Sequence, residues 1–532
     1  MRAMLCWISE CSEYPECQRF GDFRCCAYRA PIFRLLGESV TVALIVFVAL
    51  YVMASIAIGL YAARRVSTSA DYVIAGRHLP MHMTVATVFA TWFGSETVLG
   101  IPATFLKEGA GGIVADPFGA ALCLVLVGLF FARPLYRMQL LTIGDFFRRK
   151  YGPVVEFVVS LCICASYLGW VSAQIIALGL VFNILSAGAI SVQIGMCAGL
   201  AIVLLYTIAG GMWSVALTDF FQMTIIGIGL IIVVFVVAGL VGGPGVVIAH
   251  AAANGKFNIL PSLSNGAIFA FLGALLTMGF GSIPQQDVFQ RVMSAKNETV
   301  AARGTIIGGC LYFCFAMIPI FLAYSANLID AKATGELMAK DSQRILPFLI
   351  LNHTHLIVQI IFFGALLSAI MSTASATLLA PAVLFAENII RPRRPELADR
   401  TLLLIIRVCV LVFAAIVLTL ALNSSMSIFK MVENAYKVTL TGAFVPLAAG
   451  VFWRCANTQG ALLSSGVGIA TWLMFEVLAL YGFAPMPPQL AGFFAACAGM
   501  MIGGYAYPAA SDSAASSETG TGSEGRVEAP HP

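Results

Sequence analysis

From residue 40 to residue 507 the chain is a train of apolar runs, each about as long as a helix must be to cross a bilayer, parted by short loops that hold most of the charge. A membrane interior accepts only helices or closed barrels, because unpaired backbone groups there are too costly, so the expected fold is all-α and polytopic. Thirteen windows of about 20 residues can be placed, at 40–62, 80–106, 113–137, 154–184, 190–209, 215–242, 267–289, 304–327, 354–389, 401–423, 428–453, 457–481 and 488–507. Composition agrees, with 60% hydrophobic and 11% charged residues. The 30 Lys plus Arg against 26 Asp plus Glu are spread along loops without a basic block, so no nucleic-acid partner is implied.

Loop charge sets the expected orientation. Arg64, Arg65 and Arg77; Arg133, Arg137, Arg148, Arg149 and Lys150; Arg291, Lys296 and Arg303; and Arg391, Arg393, Arg394 and Arg400 fall in odd-numbered loops. The positive-inside rule then puts those loops in the cytoplasm, the N-terminus outside and the C-terminus inside the plasma (inner) membrane. Residues 1–39 precede the spans and hold Cys6, Cys11, Cys17, Cys25 and Cys26, five of the 14 cysteines. They read either as an external Cys-rich cap on the oxidising side or as a poorly ordered extension. Residues 508–532 are rich in Ser, Gly, Ala and Glu and are expected to form a disordered cytoplasmic tail. Cys123, Cys162, Cys164 and Cys197 lie in spans and are expected as buried apolar filler.

Two spans are interrupted. The second, FATWFGSETVLGIP, carries Gly94, Gly100 and Pro102; five spans later TMGFGSIPQQD carries Gly279, Gly281 and Pro284. Paired breaks at corresponding positions are the best sequence pointer to a midplane binding site in a transporter built from inverted repeats, since irregular backbone survives at that depth only against protein or a cavity. Glu96 lies inside the first break, and an intramembrane carboxylate is a functional hypothesis by default. Its other reading is a hydrogen-bonded structural acid. Further charges have plainer expectations: Glu433 and Lys437, four apart, neutralise each other; Arg407 snorkels to the cytoplasmic end of its span; Asp287 and Arg291 share the four-residue spacing.

Three stretches, DYVIAGRHLP (71–80), YTIAGGMWSVALTDFFQ (206–222) and LLSAIMSTASATLLAPAVLFAENI (366–389), together resemble the sodium:solute symporter family, and the likeness extends over residues 40–507. The resemblance implies a LeuT-like core of five plus five inverted repeats, at about 80–242 and 267–453, and sodium-coupled uptake of a small organic solute by alternating access. It also implies sodium ligands at the carbonyls of Ala90, Phe93 and Ala369 and the hydroxyls of Ser372 and Thr373, with Asp219 on the ion's inner exit route. A dehydrated hard cation needs about five oxygens, and carbonyls freed by an unwound helix are a natural supply. Without the family, Ser372 and Thr373 would read as hydroxyls bonding the preceding turn, and Asp219, with Thr218, as a helix N-terminal cap.

ATW before the break and IPQQDVFQRVMS resemble the high-affinity choline transporter branch, whose aromatic cage for a quaternary ammonium implies solute contacts at Trp92 and Trp170. Indole faces attract cations by roughly 0.5–2 kcal/mol per contact. Glu96 then supplies counter-charge. The chain departs from that branch at Gln285, where the branch has a further Trp, and from the proline transporters at Trp92, where they have Asp. Gln285 and Gln286 can hydrogen-bond a polar solute. A quaternary amine or amino-acid-like solute leads, with short carboxylates and pantothenate-like acids as alternatives. Sodium is the only metal implied, and no organic cofactor. A sensor acting through a partner is the second class; an enzyme is excluded, because the six His form no nucleophile or metal constellation.

Overall fold

The computed structural model describes residues 23–261 and 264–506. The Cys-rich extension, as far as its side chains go, and the tail at 508–532 lie outside the described residues. Among the described residues, fourteen of the helices frame the fold: α1 (Phe23–Ala63), α2 (Met81–Trp92), α3 (Ile101–Glu108), α4 (Ala110–Arg137), α5 (Pro153–Leu185), α6 (Val192–Leu240), α7 (Asn265–Gly279), α8 (Gln286–Ser294), α9 (Glu298–Ile329), α10 (Leu356–Phe385), α11 (Asp399–Asn423), α12 (Ile428–Phe452), α13 (Thr458–Leu480) and α14 (Pro488–Ala506). Among the described residues, ten helices are long and apolar enough to cross a membrane, where the sequence suggested thirteen spans. The difference has three sources. The fifth and sixth expected spans follow one another without a loop as the two helical halves of α6, parted by the non-helical Gly211, and the second and seventh fall into the pairs α2/α3 and α7/α8, none of which is long enough alone.

Burial orders the bundle. In α10 78% of the most apolar window is covered by protein, against 33% in α6 and α11 and 22% in α13. The Ser/Thr-bearing helix is therefore central, and α13 is peripheral. Polar residues gather where lipid cannot reach them, as the cost of an unpaired polar group in hydrocarbon requires.

Gly211 shows how a break is sealed. Its φ of 50° and ψ of −135° suit glycine, and a Cβ there would lie 2.4 Å from the Tyr72 carbonyl. The carbonyls freed upstream find donors: Tyr72 OH bonds the Thr207 and Ile208 oxygens at 3.1 and 3.2 Å, and Arg407 Nε bonds the Ile208 oxygen at 3.1 Å. Arg407 thus caps backbone across the bundle and lies over the Tyr72 ring instead of simply snorkelling. The two broken spans meet at one end. Leu79 N donates to Ser294 O and Lys296 N to Leu79 O, both at 3.0 Å, in a parallel bridge that ties the start of α2 to the end of α8.

Candidate functional site

The first break begins where Phe93, at φ −85° and ψ 73°, leaves α2. Gly94 N reaches back only to the Trp92 carbonyl, at 3.1 Å, and residues 96–100 form one wide turn before α3. A Cβ on Gly94 would stand 2.7 Å from Glu96 Oε2 and 2.8 Å from Thr373 Oγ1, so the carboxylate and the hydroxyl face one corner of the break. Gly100 lies against Phe429. Pro102 belongs to the first turn of α3, where a missing N–H costs nothing, and not to the break itself. In the second break α7 ends at Gly279, a run of tight turns carries Gly281 and Pro284, and α8 starts at Gln286.

Four of the five positions expected to hold sodium are in mutual contact. Ser372 Oγ donates to the Ala90 carbonyl at 2.7 Å and lies 3.0 Å from that of Ala369, while Thr373 Oγ1 is 3.3 Å from the Ala90 oxygen. All are buried. The fifth, Phe93, sits at the turn where the helix opens. One helical turn before Ala90, Thr87 donates to Asp219 Oδ2 at 2.5 Å; the other Asp219 oxygen is buried without a partner. Asp219 lies well inside the second half of α6, and Thr218 bonds the Ser214 carbonyl, so neither is a helix cap.

Beside the break the aromatic rings converge. Trp92 packs on Trp170 (centroids 5.8 Å), Tyr436 (6.2 Å) and Tyr312 (6.4 Å), and Trp170 also meets Tyr436 and Tyr167. Glu96 enters this cluster: Trp170 Nε1 donates to Oε1 at 3.0 Å and Gln174 Nε2 to Oε2 at 2.7 Å. The same Gln174 accepts the Ser95 N–H at 3.0 Å, satisfying backbone that the break set free. Gln285 bonds Ser166 at 2.9 Å and approaches Thr439, whereas Gln286 accepts from Ile143 N at 2.9 Å, toward a different helix. The structure thus brings Trp92, Glu96 and Trp170 together and turns Gln286 elsewhere.

Several residues escaped the sequence. Tyr167, Tyr312, Tyr436 and Gln174 gave no local signal, but Asp116, buried beside Pro117 in an apolar run, could have been found by the rule that singled out Glu96. Arg291 is not a loop charge: it is buried, donating to Thr91 Oγ1 and to the Asp287 carbonyl, both at 3.0 Å. The Asp287 carboxylate takes the Tyr167 hydroxyl instead. Glu433 pairs with Lys430 at 2.8 Å and Lys437 with Glu476 at 3.4 Å, not with each other. Cys123 and Cys164 are buried, Cys162 partly so, but Cys197 is exposed on its helix.

At the end of α3 away from the Leu79–Ala295 bridge, a cavity of about 680 Å³ descends to Gly100, Ala115 and Phe429, with Lys107, Lys430 and Glu433 on its walls. Its floor adjoins the turn that carries Glu96.

Comparison with known proteins places this geometry. The sequence pattern of the Sodium:solute symporter family matches residues 72–468. The human High affinity choline transporter 1 is 27% identical over 443 residues, covering 79% of this chain and 74% of that one. The Osmoregulated proline transporter OpuE of Bacillus subtilis (strain 168) is 26% identical over 450 residues, covering 82% and 89%. A solved structure of a Na+-coupled sialic acid symporter, substrate-bound and outward-open, superposes with a TM-score of 0.76 at 19% identity, over 88% of this chain and 98% of that one. The all-α, LeuT-like arrangement of two broken helices around a central helix is therefore this chain's fold, and the chain belongs to the sodium:solute symporter family, whose members are membrane transporters and not enzymes.

Proposed function

We propose that this sodium-coupled symporter imports a small solute bearing a cationic nitrogen, a quaternary amine before an amino acid. The observation that carries the reading is the ring of Trp92, Trp170, Tyr312 and Tyr436 closing around the Glu96 carboxylate at the first helix break. Aromatic faces and one negative charge in a desolvated setting select for a cation. Each Glu96 oxygen already accepts an N–H, so the carboxylate offers charge more than hydrogen-bonding capacity, which suits a nitrogen without N–H groups. An amino acid is the second reading, favoured by the buried Tyr436 hydroxyl, which has no partner.

Sodium is assigned to Ala90, Phe93, Ala369, Ser372 and Thr373. Hydroxyls rotate about one bond, so Ser372 and Thr373 can turn lone pairs toward a cation that shares the Ala90 carbonyl. Asp219, within reach of Thr87 one turn away, is assigned to the inner exit route. The transport domain is taken as residues 40–507, with repeats at about 80–242 and 267–453, the N-terminus outside and the C-terminus in the cytoplasm.

The test is uptake of labelled choline, betaine, proline, acetate and pantothenate into proteoliposomes with and without an inward sodium gradient. Accumulation of choline or betaine only with sodium is expected. Selective uptake of an acid would overturn the cationic reading and shift the solute contacts to the broken-helix amides and Gln285.

A further inference from the structure

Two carboxylates, not one, are buried beside the first break. Glu96 and Asp116 are 2% and 3% exposed, and among the described residues neither takes part in an ion pair. They flank a single polar contact: Tyr312 OH donates to Asp116 Oδ1 and lies 3.4 Å from Oγ1 of Thr97, the residue after Glu96. Asp116 Oδ2 is buried with no partner. The elements packed on residues 114–119 bring little charge to it: Glu96 from the 96–100 turn, the Tyr312 hydroxyl from α9, and no titratable side chain from α7.

Like charges in a water-poor interior cannot both persist uncompensated. Glu96 shares its corner with Thr373, so a sodium ion in the assigned site lies near enough to balance it. Asp116 has no such neighbour, and its free oxygen completes a small donor set with the Tyr312 and Thr97 hydroxyls. The cavity that ends at Ala115 and Gly100 supplies a route from the side opposite the Leu79–Ala295 bridge.

We propose that Asp116 holds a second monovalent cation, a sodium ion or a proton, in addition to the sodium at Ser372 and Thr373. The proposal rests on the sodium reading above only for the charge that balances Glu96.

The test needs no solute. Equilibrium binding of radioactive sodium, and proton uptake in weak buffer at saturating sodium, are measured on the purified full-length chain in nanodiscs, from about pH 8.5 down to 5.5, a window chosen to bracket neutrality. The wild type, Asp116→Asn and the double variant Ser372→Ala with Thr373→Ala are compared. Two sodium ions per wild-type chain, falling to one in Asp116→Asn, assigns the second cation as sodium. One sodium ion, with one proton taken up as the pH is lowered while that sodium stays bound and the uptake lost in Asp116→Asn, assigns it as a proton. Asp116→Asn matching the wild type in both readouts overturns the proposal. So does a wild-type chain that binds one sodium and takes up no proton anywhere in that pH range, a result that stands even should the variant fold poorly, and which would leave Asp116 to the solute's own charge. Should the double variant match the wild type while Asp116→Asn loses a cation, the Ser372 and Thr373 assignment fails and the Asp116 site stands.

Discussion

The two helix breaks carry the same glycine and proline signals but are closed in opposite ways. In the second, the backbone satisfies itself: Gly281 N bonds Leu276 O, Ile283 N bonds Phe280 O and Gln285 N bonds Ser282 O, all within 3.1–3.2 Å. In the first, closure comes from other helices, through Gln174 on Ser95 and Glu96 and through Ser372 and Thr373 on Ala90. A break that needs side chains from elsewhere can exchange them for an ion or a solute. One that closes by turns works as a fixed elbow. The difference teaches that a broken membrane helix is not itself a site; the source of its hydrogen bonds decides.

The largest effect that would break this contrast is expected from Ser372→Ala with Thr373→Ala. Sodium-dependent uptake should fall by about a hundredfold or more, since two of roughly five ligand oxygens are lost; a retained sodium response would remove the distinction. Next comes a matched pair. A Cβ on Gly281 would meet the Thr277 and Tyr436 carbonyls at 2.3 and 2.6 Å, so Gly281→Ala should destabilise the fold by about 1–3 kcal/mol, read as a lower unfolding temperature. Gly94→Ala meets Glu96 Oε2 and the Thr373 side chain at 2.7–3.0 Å but no backbone, so it should lower that temperature less than Gly281→Ala does while weakening sodium binding by about tenfold, on the order of one displaced ligand. Trp170→Phe keeps an aromatic face, though a smaller one, and deletes the donor to Glu96, and the solute's apparent affinity should drop by about threefold to tenfold. The smallest effect is local. Asp71 is slightly buried, which alone would raise its pKa, but the hydroxyls and amides of Ser67 and Thr68 donate to it and hold the pKa below the ordinary carboxylate range. A depressed folded pKa means the capping box at Thr68–Asp71 contributes in full above that range and is lost as pH falls through the folded value. Asp71→Asn should therefore cost about 1 kcal/mol or less at neutral pH and flatten the acid limb of the thermal-melt profile.

What the sequence made legible was local. Gly94, Gly281 and Pro284 announce breaks because backbone geometry is written residue by residue, and the gap left between the expected spans 190–209 and 215–242 falls on the bend at Gly211. The partners were not legible. Tyr312, Tyr436 and Gln174 reach the break from three different helices, and nothing in their own windows says so. Lys437 illustrates the limit: helical spacing offered Glu433, but the packing of α13 supplied Glu476 instead. Arg291 was misplaced because a charge near a span end looks like a loop charge until its neighbours are known. Asp116 is different, since its signal was present and was masked by a neighbouring loop and proline.

The bridge between Leu79 and Ala295 gives the half-helices before one break and after the other a common anchor. Parts that share an anchor are expected to move together, so a swing of the half-helix bearing Ala90 should carry with it the one bearing Asp287 and Arg291. For a carrier driven by an ion gradient, the steepness of accumulation depends on how seldom the ion crosses alone. A yoke of two backbone hydrogen bonds would then act against slippage, tying the ion's leak to the solute's passage.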